Sequence, residues 1–480
     1  MGYKTGTDKQ QLTIMPMCLD EYVPEEHICR VICAFTEQLD MLNLGFKYAE
    51  CKDTGNRPYD PRTVLNLYIY GYLHRVRSSR RLEAETKRNV EVMWLMGGLT
   101  PDDKTICNFR KDNAKALRAV FREFNKMCKS FELFGGEVEA TDGSKFRADN
   151  SRKNNHNKTT VERELSRLEK RISEYLNALD NADAEEADDV MPTVKQIKEA
   201  LKKLNERKEK FEEFAKRLET ESEISTVDPD ARLMRSGGDA RMLDVCYNVQ
   251  TIVDEKHHLI VDFDVTSNPV DSGELQNMSE RAMEVMGVET IINLADKGYY
   301  DGSDIENCEE NGITCLVAKP KAGGAKKGEG FKRENFIYDR DNDCYVCPCQ
   351  NELRFMRTQK HSDGKEYRIY ANYPICGKCP KRSECTKQKF REIYRSPYQD
   401  TLDIVDDRTQ NGKELYRKRQ EIVEHPFGTI KAVWGYKQFL CRGKEKVTAE
   451  TALACLAYNF RRVFNISGGN CGKPFALMGV

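Results

Sequence analysis

The stretch Glu137–Ala148, EVEATDGSKFRA, decides the fold that we expect for this chain of 480 residues. A short β-prone run leads directly into Asp142 and Gly143, which is typical of a strand that ends at a turn. The stretch 291–302, IINLADKGYYDG, has the same design, because the apolar run 291–295 leads directly into Asp296. The sequence therefore predicts two strands whose ends each carry an aspartate.

A third acidic residue lies in a helical pattern, in the stretch 419–431, RQEIVEHPFGTIK. Glu424 is the preferred candidate, because apolar neighbours at 422, 423 and 427 would anchor its helix against the sheet. Glu421 lies near the same helix face and stays open as the alternative. Lys431, two helical turns beyond Glu424, can reach the same side and contact a phosphate. Two carboxylates at strand ends and one on a helix can hold a pair of divalent cations for phosphoryl transfer.

The sequence between the two aspartates predicts the rest of a sheet. Residues 244–265 read as two strands across a turn at 254–256, and a helix follows from about Gly273 to Met286. Only the segment 158–226 interrupts this order. With that segment removed, the order of strand, hairpin, helix and strand is that of a ribonuclease-H-like core, an α/β fold with a mixed sheet flanked by helices.

The interrupting segment 158–226 is almost wholly charged and contains no Gly. Its apolar residues recur in alternating steps of three and four, which is the coiled-coil pattern. A polar break between the two apolar series predicts an antiparallel helical hairpin inserted into the core. The hairpin could serve dimerisation or simple spacing, and both interpretations stay open.

Composition limits the functional classes. The chain has 39% hydrophobic and 32% charged residues and a net charge of −1, so any nucleic-acid surface must be a local basic patch. Its N-terminus lacks the apolar core of a signal peptide, and no apolar run approaches the ~18 residues of a membrane span. We therefore expect a cytoplasmic protein whose 18 Cys are reduced.

The first 135 residues read as short helices joined by tight turns, which suits a helix-turn-helix type of DNA-binding module. Basic residues gather there, and we expect DNA contacts from Arg75, Arg77, Arg80, Arg81, Arg110 and Lys111. Arg419, ahead of Glu424, is a further candidate for a DNA contact. The alternative is a solvated basic face on a helical bundle.

Six Cys lie between 344 and 385, in CPC and CGKCPKRSEC patterns separated by a strand-like stretch. Such spacing is compatible with a zinc ribbon. The preferred ligands are Cys347, Cys376, Cys379 and Cys385, with Cys344 or Cys349 as substitutes. Four thiolates would make a structural site, because no position is left for water. The alternative is a set of free thiols in a small β-rich insertion.

The chain resembles the DDE-type transposases of bacterial insertion sequences, and the resemblance spans most of its length. It rests on YDPRTVLNLYIYGYL and TICNFRKDN in the N-terminal part, TDGSKFRA, the DPDARLM and YNVQ stretches, LADKGYYDG, the Cys-rich insertion and VEHPFGTIK. Each motif is short, and their order makes the match specific. The Tyr416 and Arg419 spacing ahead of Glu424 departs from the usual pattern of related families.

The resemblance implies a ribonuclease-H-like catalytic domain that binds Mg²⁺ or Mn²⁺ through Asp142, Asp296 and Glu424, with Lys431 in the motif after the glutamate. It implies cleavage at terminal inverted repeats, joining of 3′-OH ends to target DNA, and a homodimer on paired ends. The expected domains are 1–135 for DNA binding, 136–157 and 227–330 for the catalytic core, 158–226 and 331–400 as insertions, and 401–480 completing the core. The rival interpretation is an inactive transposase that only binds DNA.

Overall fold

A computed structural model describes residues 18–50, 57–184, 191–236, 243–320, 329–361 and 364–467. Its helices are α1 Ile28–Glu37, α2 Pro61–Leu73, α3 Ser79–Arg88, α4 Val90–Leu95, α5 Asp103–Asp112, α6 Ala114–Ser130, α7 Lys158–Ala184, α8 Met191–Arg217, α9 Leu275–Met286, α10 Gly302–Glu310, α11 Tyr373–Lys378, α12 Arg382–Cys385, α13 Gln399–Asn411, α14 Lys413–Phe427 and α15 Lys444–Ile466. None of the helices in these ranges is both long and apolar enough to cross a membrane.

The strands form one large and one smaller sheet, with a short two-stranded ladder. They are β1 Val138–Arg147, β2 Asn155–His156, β3 Ile224–Ser225, β4 Arg232–Arg235, β5 Leu243–Asp254, β6 Ile260–Thr266, β7 Ile291–Ala295, β8 Ile313–Val317, β9 Ile337–Asp339, β10 Cys344–Val346, β11 Glu352–Lys360, β12 Glu366–Ala371 and β13 Glu392–Arg395.

The large sheet is mixed and has β1 at its centre. β5 pairs antiparallel with β1 on one side, and its far edge carries both β6 and β4. On the other side β7 runs parallel to β1, and β8 runs parallel to β7. Parallel neighbours need crossover connections, which α9 and α10 supply. This strand order and these directions are compatible with a ribonuclease-H-like domain.

The N-terminal helices and the large sheet share one hydrophobic core. Helix α15 packs against α2, α6 and β6, and its residues 449–460 are therefore all buried. Phe460 on α15 lies 5.3 Å from Phe35 of α1 and 4.3 Å from Phe124 of α6, measured between ring centroids. The domain boundary that we predicted at residue 135 therefore does not separate two cores.

The long helices α7 and α8 lie side by side and run antiparallel. Val161 and Leu168 pack against Phe211 and Phe214 in a small cluster apart from the main core. Ion pairs join Glu164 to Arg207 and Glu169 to Lys208 across the two helices. The β2–β3 ladder pairs the chain just before α7 with the chain just after α8, so the segment leaves and rejoins the large sheet at one place.

The second sheet has the order β13-β12-β11-β10-β9 and is antiparallel throughout. Tyr345, Leu353, Tyr370 and Ile393 form the centre of its own cluster. Helices α11 and α12 lie in the connection between β12 and β13. The sheet therefore stands as a small unit with a core of its own.

Candidate active site

Asp142 lies in the middle of β1, where it pairs in register with Thr251 of β5. The prediction that the strand ends at this residue is wrong, because β1 continues to Arg147. Burial, and after it the charge of Asp296, raises the pKa of the Asp142 carboxyl to about 6. The two carboxylates therefore interact across neighbouring parallel strands.

Asp296 immediately follows β7 and begins a single helical turn. Its carboxylate accepts a hydrogen bond of 2.7 Å from the backbone N–H of Gly298. The hydroxyl of Tyr416 on α14 donates to the carbonyl of Ala295 at 3.0 Å. This bond fastens α14 to the end of β7, directly beside Asp296.

A third aspartate, Asp271, lies close to Gly143 and Gly298, the glycines that follow Asp142 and Asp296. It accepts hydrogen bonds from Lys145 Nζ at 2.9 Å, Asn248 Nδ2 at 2.7 Å and Gln250 Nε2 at 2.8 Å. Its charge also acts on Asp142. We did not predict this residue from the sequence, because an Asp shortly before a helix reads as an ordinary turn or cap residue. The contacts that reveal its position come from β1 and β5, far away along the chain.

Two glycines allow the aspartates to come close. A Cβ at Gly143 would lie 2.4 Å from Asp271 Oδ1 and 2.4 Å from Gln250 Nε2. A Cβ at Gly298 would lie 2.9 Å from Asp296 Oδ1 and 3.5 Å from Asp271 Oδ2. Gly143 therefore leaves room for the Asp271 side chain and does not mark a turn, which explains the wrong prediction for β1.

Helix α14 brings Glu424 alongside the large sheet, and it packs against β1, β5 and β7. Glu424 is exposed and accepts a hydrogen bond from Gln420 Nε2 at 2.9 Å. Arg419 is half-buried, and its positive charge opposes the rise in the pKa of Asp142. Glu421 instead acts electrostatically on His258, in the turn after β5. Arg419 rather than Glu421 therefore faces the aspartates.

Lys431 reaches β1 from the π-helical turn Gly428–Val433 that follows α14. Its Nζ donates to Ser144 Oγ at 2.9 Å and to the carbonyl of Lys145 at 2.7 Å. Burial lowers the pKa of this lysine, while the charge of Asp142 acts in the opposite direction. The ammonium group of Lys431 therefore lies against β1 at Ser144, two residues beyond Asp142.

The basic residues of the N-terminal part divide into two groups. Arg110 is only 4% exposed and lies over the Tyr68 ring. Arg77 donates to Glu450 and covers the ring of Tyr436. These two arginines stabilise the protein interior, so we withdraw them as DNA contacts. The exposed members of the predicted set are Arg75, Arg80, Arg81 and Lys111.

The predicted zinc ligands lie together in the second sheet. Cys347, Cys349, Cys376, Cys379 and Cys385 line one cavity beside α11 and α12. Cys344 is buried on β10 and does not line that cavity. The structure therefore separates the two substitutes that the sequence left open, since only Cys349 borders the cluster.

Within the described ranges, only His27, Cys29 and Glu91 place three ligand atoms of the types Cys, His or carboxylate within 4.8 Å of one another. These three residues belong to the N-terminal helices. Asp142, Asp296 and Glu424 do not form such a closed cluster.

Two family models match the chain. One, described as a transposase domain, covers residues 17–112, and the other, described as a transposase DDE domain, covers residues 325–464. Both matches support a DDE-type insertion-sequence transposase. Neither the search of curated proteins nor that of solved structures gives a match.

The DDE domain indicates a metal-dependent enzyme that cleaves and transfers strands of DNA, its substrate. The matched DDE segment contains Glu424 and Lys431 but begins after Asp142 and Asp296. Transposases of this family generally use divalent metal ions. The three aspartates and the carboxylate on α14 have the oxygen chemistry that such ions prefer.

Proposed function

We propose that this transposase cuts DNA at the terminal inverted repeats of its insertion sequence and joins the released 3′-OH ends to target DNA. One observation carries the proposal: Asp142 on β1 and Asp296 after β7 interact electrostatically, and burial together with the charge of Asp296 raises the pKa of Asp142. Like charges that are gathered in a half-buried place indicate a site built for a cation.

Asp142, Asp296 and Glu424 would hold Mg²⁺ or Mn²⁺ in this proposal. The acceptor-only oxygens of the carboxylates suit these hard ions, and a cation would remove the repulsion between Asp142 and Asp296. When bound, such ions lower the pKa of an attacking water and offset negative charge on the phosphorus. Asp271, held by Lys145, would keep the neighbouring carboxylates in position.

Two basic side chains would orient the DNA backbone at the site. Arg419 is half-buried close to Asp142, and Lys431 lies against β1. Both can offset charge on a phosphate that is held near the aspartates. The exposed residues Arg75, Arg80, Arg81 and Lys111 would contact DNA further from the reacting bond.

The chemistry has two steps with the same geometry. In the first step, water attacks the phosphodiester at the transposon end, the bond from phosphorus to the 3′ oxygen breaks, and that oxygen leaves as a 3′-OH. In the second step, this 3′-OH attacks a phosphodiester of the target and displaces the 3′ oxygen of the target strand. No covalent bond between protein and DNA is needed.

The proposed domain organisation follows from these roles. Residues 136–157, 227–330 and 401–480 would form the ribonuclease-H-like catalytic core, and residues 1–135 would supply DNA contacts. The segments 158–226 and 331–400 would be insertions into that core. One chain would act at each transposon end, so we propose a homodimer on paired ends.

A strand-transfer assay tests the proposal. The full chain is incubated with Mg²⁺, a supercoiled target plasmid and a labelled terminal-repeat duplex that already carries a 3′-OH end. We expect joined products in which label and plasmid share one strand. Nicked plasmid without joined label would show a nuclease that only hydrolyses DNA and would overturn the proposal. Substrate with a 3′-deoxy end is the matched control and should give no joined product.

A further inference from the structure

Five sulfur atoms face one cavity in the second sheet, although they come from three separate chain segments. Cys347 and Cys349 lie in the turn between β10 and β11, Cys376 and Cys379 lie in and just after α11, and Cys385 ends α12. The thiol of Cys385 interacts electrostatically with those of Cys376, Cys347 and Cys379. The fold has therefore brought the thiols together from distant positions.

The turn after β10 has a backbone that is shaped around the sulfur of Cys347. The N–H of Asn351 points at Cys347 Sγ at 3.4 Å, and the N–H of Cys347 donates to the carbonyl of Asn351 at 2.9 Å. Gln350 adopts a φ of +60°, a left-handed conformation that a side chain rarely takes. A backbone N–H bonds more strongly to a thiolate than to a neutral thiol, because the thiolate carries negative charge.

A half-buried arginine that lines the cavity, Arg391, has one nitrogen without a hydrogen-bond partner among the described residues. This nitrogen is Nε, and it is buried. The guanidinium lies over the ring of Phe336, and the sulfur of Cys385 interacts favourably with its charge. A buried unpaired donor costs about 1–3 kcal/mol, so its position calls for an acceptor in the cavity. Thiolate sulfurs would be that acceptor.

We propose that Cys347, Cys376, Cys379 and Cys385 bind one structural zinc ion that holds the second sheet together. Four thiolates and Zn²⁺ carry a net charge of −2, which Arg391 and the N–H of Asn351 would face. In this proposal Cys349 remains a thiol next to the site, since Cys385 interacts with Cys376, Cys347 and Cys379, while Cys349 interacts with Cys379 and Cys347 only.

The present spacing of the sulfurs is wider than that of a closed site. No three of these sulfurs lie within 4.8 Å of one another. In a tetrahedral site with Zn–S bonds of about 2.3 Å, the sulfurs stand about 3.8 Å apart. Binding would draw the β10–β11 turn toward α11 and α12, which lie in the connection between β12 and β13.

The second sheet has only a small hydrophobic core, and a bound ion would stabilise it. Only six buried residues form its cluster: Phe336, Tyr345, Leu353, Tyr370, Cys385 and Ile393. A core of that size contributes too little to order five strands, and small units of this kind commonly depend on a metal. The span 331–395 also carries fifteen Lys and Arg against nine Asp and Glu, so the ion would stabilise a basic surface.

The test is the metal content of the full chain, purified without chelators, together with thiol-triggered release. We expect about one zinc per chain, released when a mercurial reagent blocks the thiols. Cys379→Ser should lower the zinc content at least about tenfold. Cys349→Ser is the matched control inside the cavity, and Cys344→Ser is the control elsewhere on the sheet, and both should keep the ion.

The same metal analysis can overturn the proposal. Wild-type protein that contains no zinc and gains no tetrahedral thiolate spectrum with Co²⁺ would overturn it. So would iron in place of zinc, or a Cys379→Ser variant with wild-type zinc content. Because the wild-type measurement needs no variant, misfolding of Cys379→Ser cannot hide the answer. Strand transfer does not enter these readouts, so the result is independent of the proposed function.

Discussion

Asp271 is joined to β1 and β5 by hydrogen bonds from Lys145, Asn248 and Gln250. Three side-chain donors point at its carboxylate, so an amide in its place would turn N–H groups toward other N–H groups. We expect Asp271→Asn to lower metal-dependent DNA cleavage by about 10- to 100-fold, with partial recovery at high metal concentration. Glu280→Gln, an exposed change on α9, is the control. Equal rates for both variants would show that Asp271 has no part in the site.

Glu139 makes the stability of the protein depend on pH. Both of its oxygens are buried without a partner in the described part of the chain. Burial, followed by the charges of Asp254, Glu137 and Glu255, raises the pKa of Glu139 to about 8. An acid whose pKa is raised by folding destabilises the folded state above its unfolded pKa of 4.5, and the loss grows until the pH passes about 8.

The matching prediction concerns Glu139→Gln. This variant should be more stable than the wild type by about 3 to 5 kcal/mol at pH 8, and nearly equal to it at pH 4.5, because protonated Glu and Gln then resemble each other. Thermal unfolding midpoints at a series of pH values measure the difference. A difference that does not vary with pH would contradict the assignment.

At the scale of elements, the packing of β1 against the loop before α9 depends on Gly143. An added methyl group would lie 2.4 Å from Asp271 Oδ1, so the Asp271 side chain and that of Gln250 would have to move. We expect Gly143→Ala to reduce cleavage at least about tenfold, while the unfolding midpoint changes little, because the clash falls on side-chain ends.

Gly428→Ala is the matched control for this element. Gly428 lies at the end of α14, has helical φ and ψ, and a Cβ there would have no heavy atom of the described chain within 4 Å. Cleavage and DNA binding should stay at wild-type levels. If Gly143→Ala were equally active, close approach of Asp271 would not matter for the reaction.

How much of these elements the sequence predicts depends on the range of the contacts. Local patterns predict the strand before Asp296, the 244–265 hairpin and the helices of 158–226, because each is encoded by neighbouring residues. Local patterns fail for Gly143. The contact that requires a glycine there is with Asp271, which is more than a hundred residues away in sequence. Local patterns fail likewise for Arg77 and Arg110, since nothing near an arginine in sequence tells that Glu450 or Tyr68 will cover it.

At the scale of the whole molecule, α15 joins the N-terminal helices to the large sheet in one core. Phe460 packs against Phe35 and Phe124 and is 1% exposed. We expect Phe460→Ala to destabilise the protein by about 3–5 kcal/mol. The two Trp, Trp94 on α4 and Trp434 near α15, report on the two regions separately.

Single-Trp variants test whether the N-terminal helices and the large sheet unfold together. With Trp94→Phe or Trp434→Phe as background, both fluorescence transitions should coincide in urea and shift together on Phe460→Ala, since a shared core unfolds cooperatively. Two separated transitions, with only one shifted, would show that residues 1–135 fold as an independent domain.

The central claim is that Asp142, Asp296 and Glu424 carry out metal-dependent DNA cleavage. The most direct measurement is cleavage of a terminal inverted-repeat duplex with Mg²⁺ by wild type, Asp142→Asn, Asp296→Asn, Glu424→Gln and the control Glu421→Gln, with DNA binding followed by gel shift. We predict that the first three variants bind DNA but do not cut it, and that Glu421→Gln cuts as wild type does. Cleavage by any of the first three variants would contradict the claim, and loss of cleavage in Glu421→Gln together with cleavage by Glu424→Gln would assign the role to Glu421.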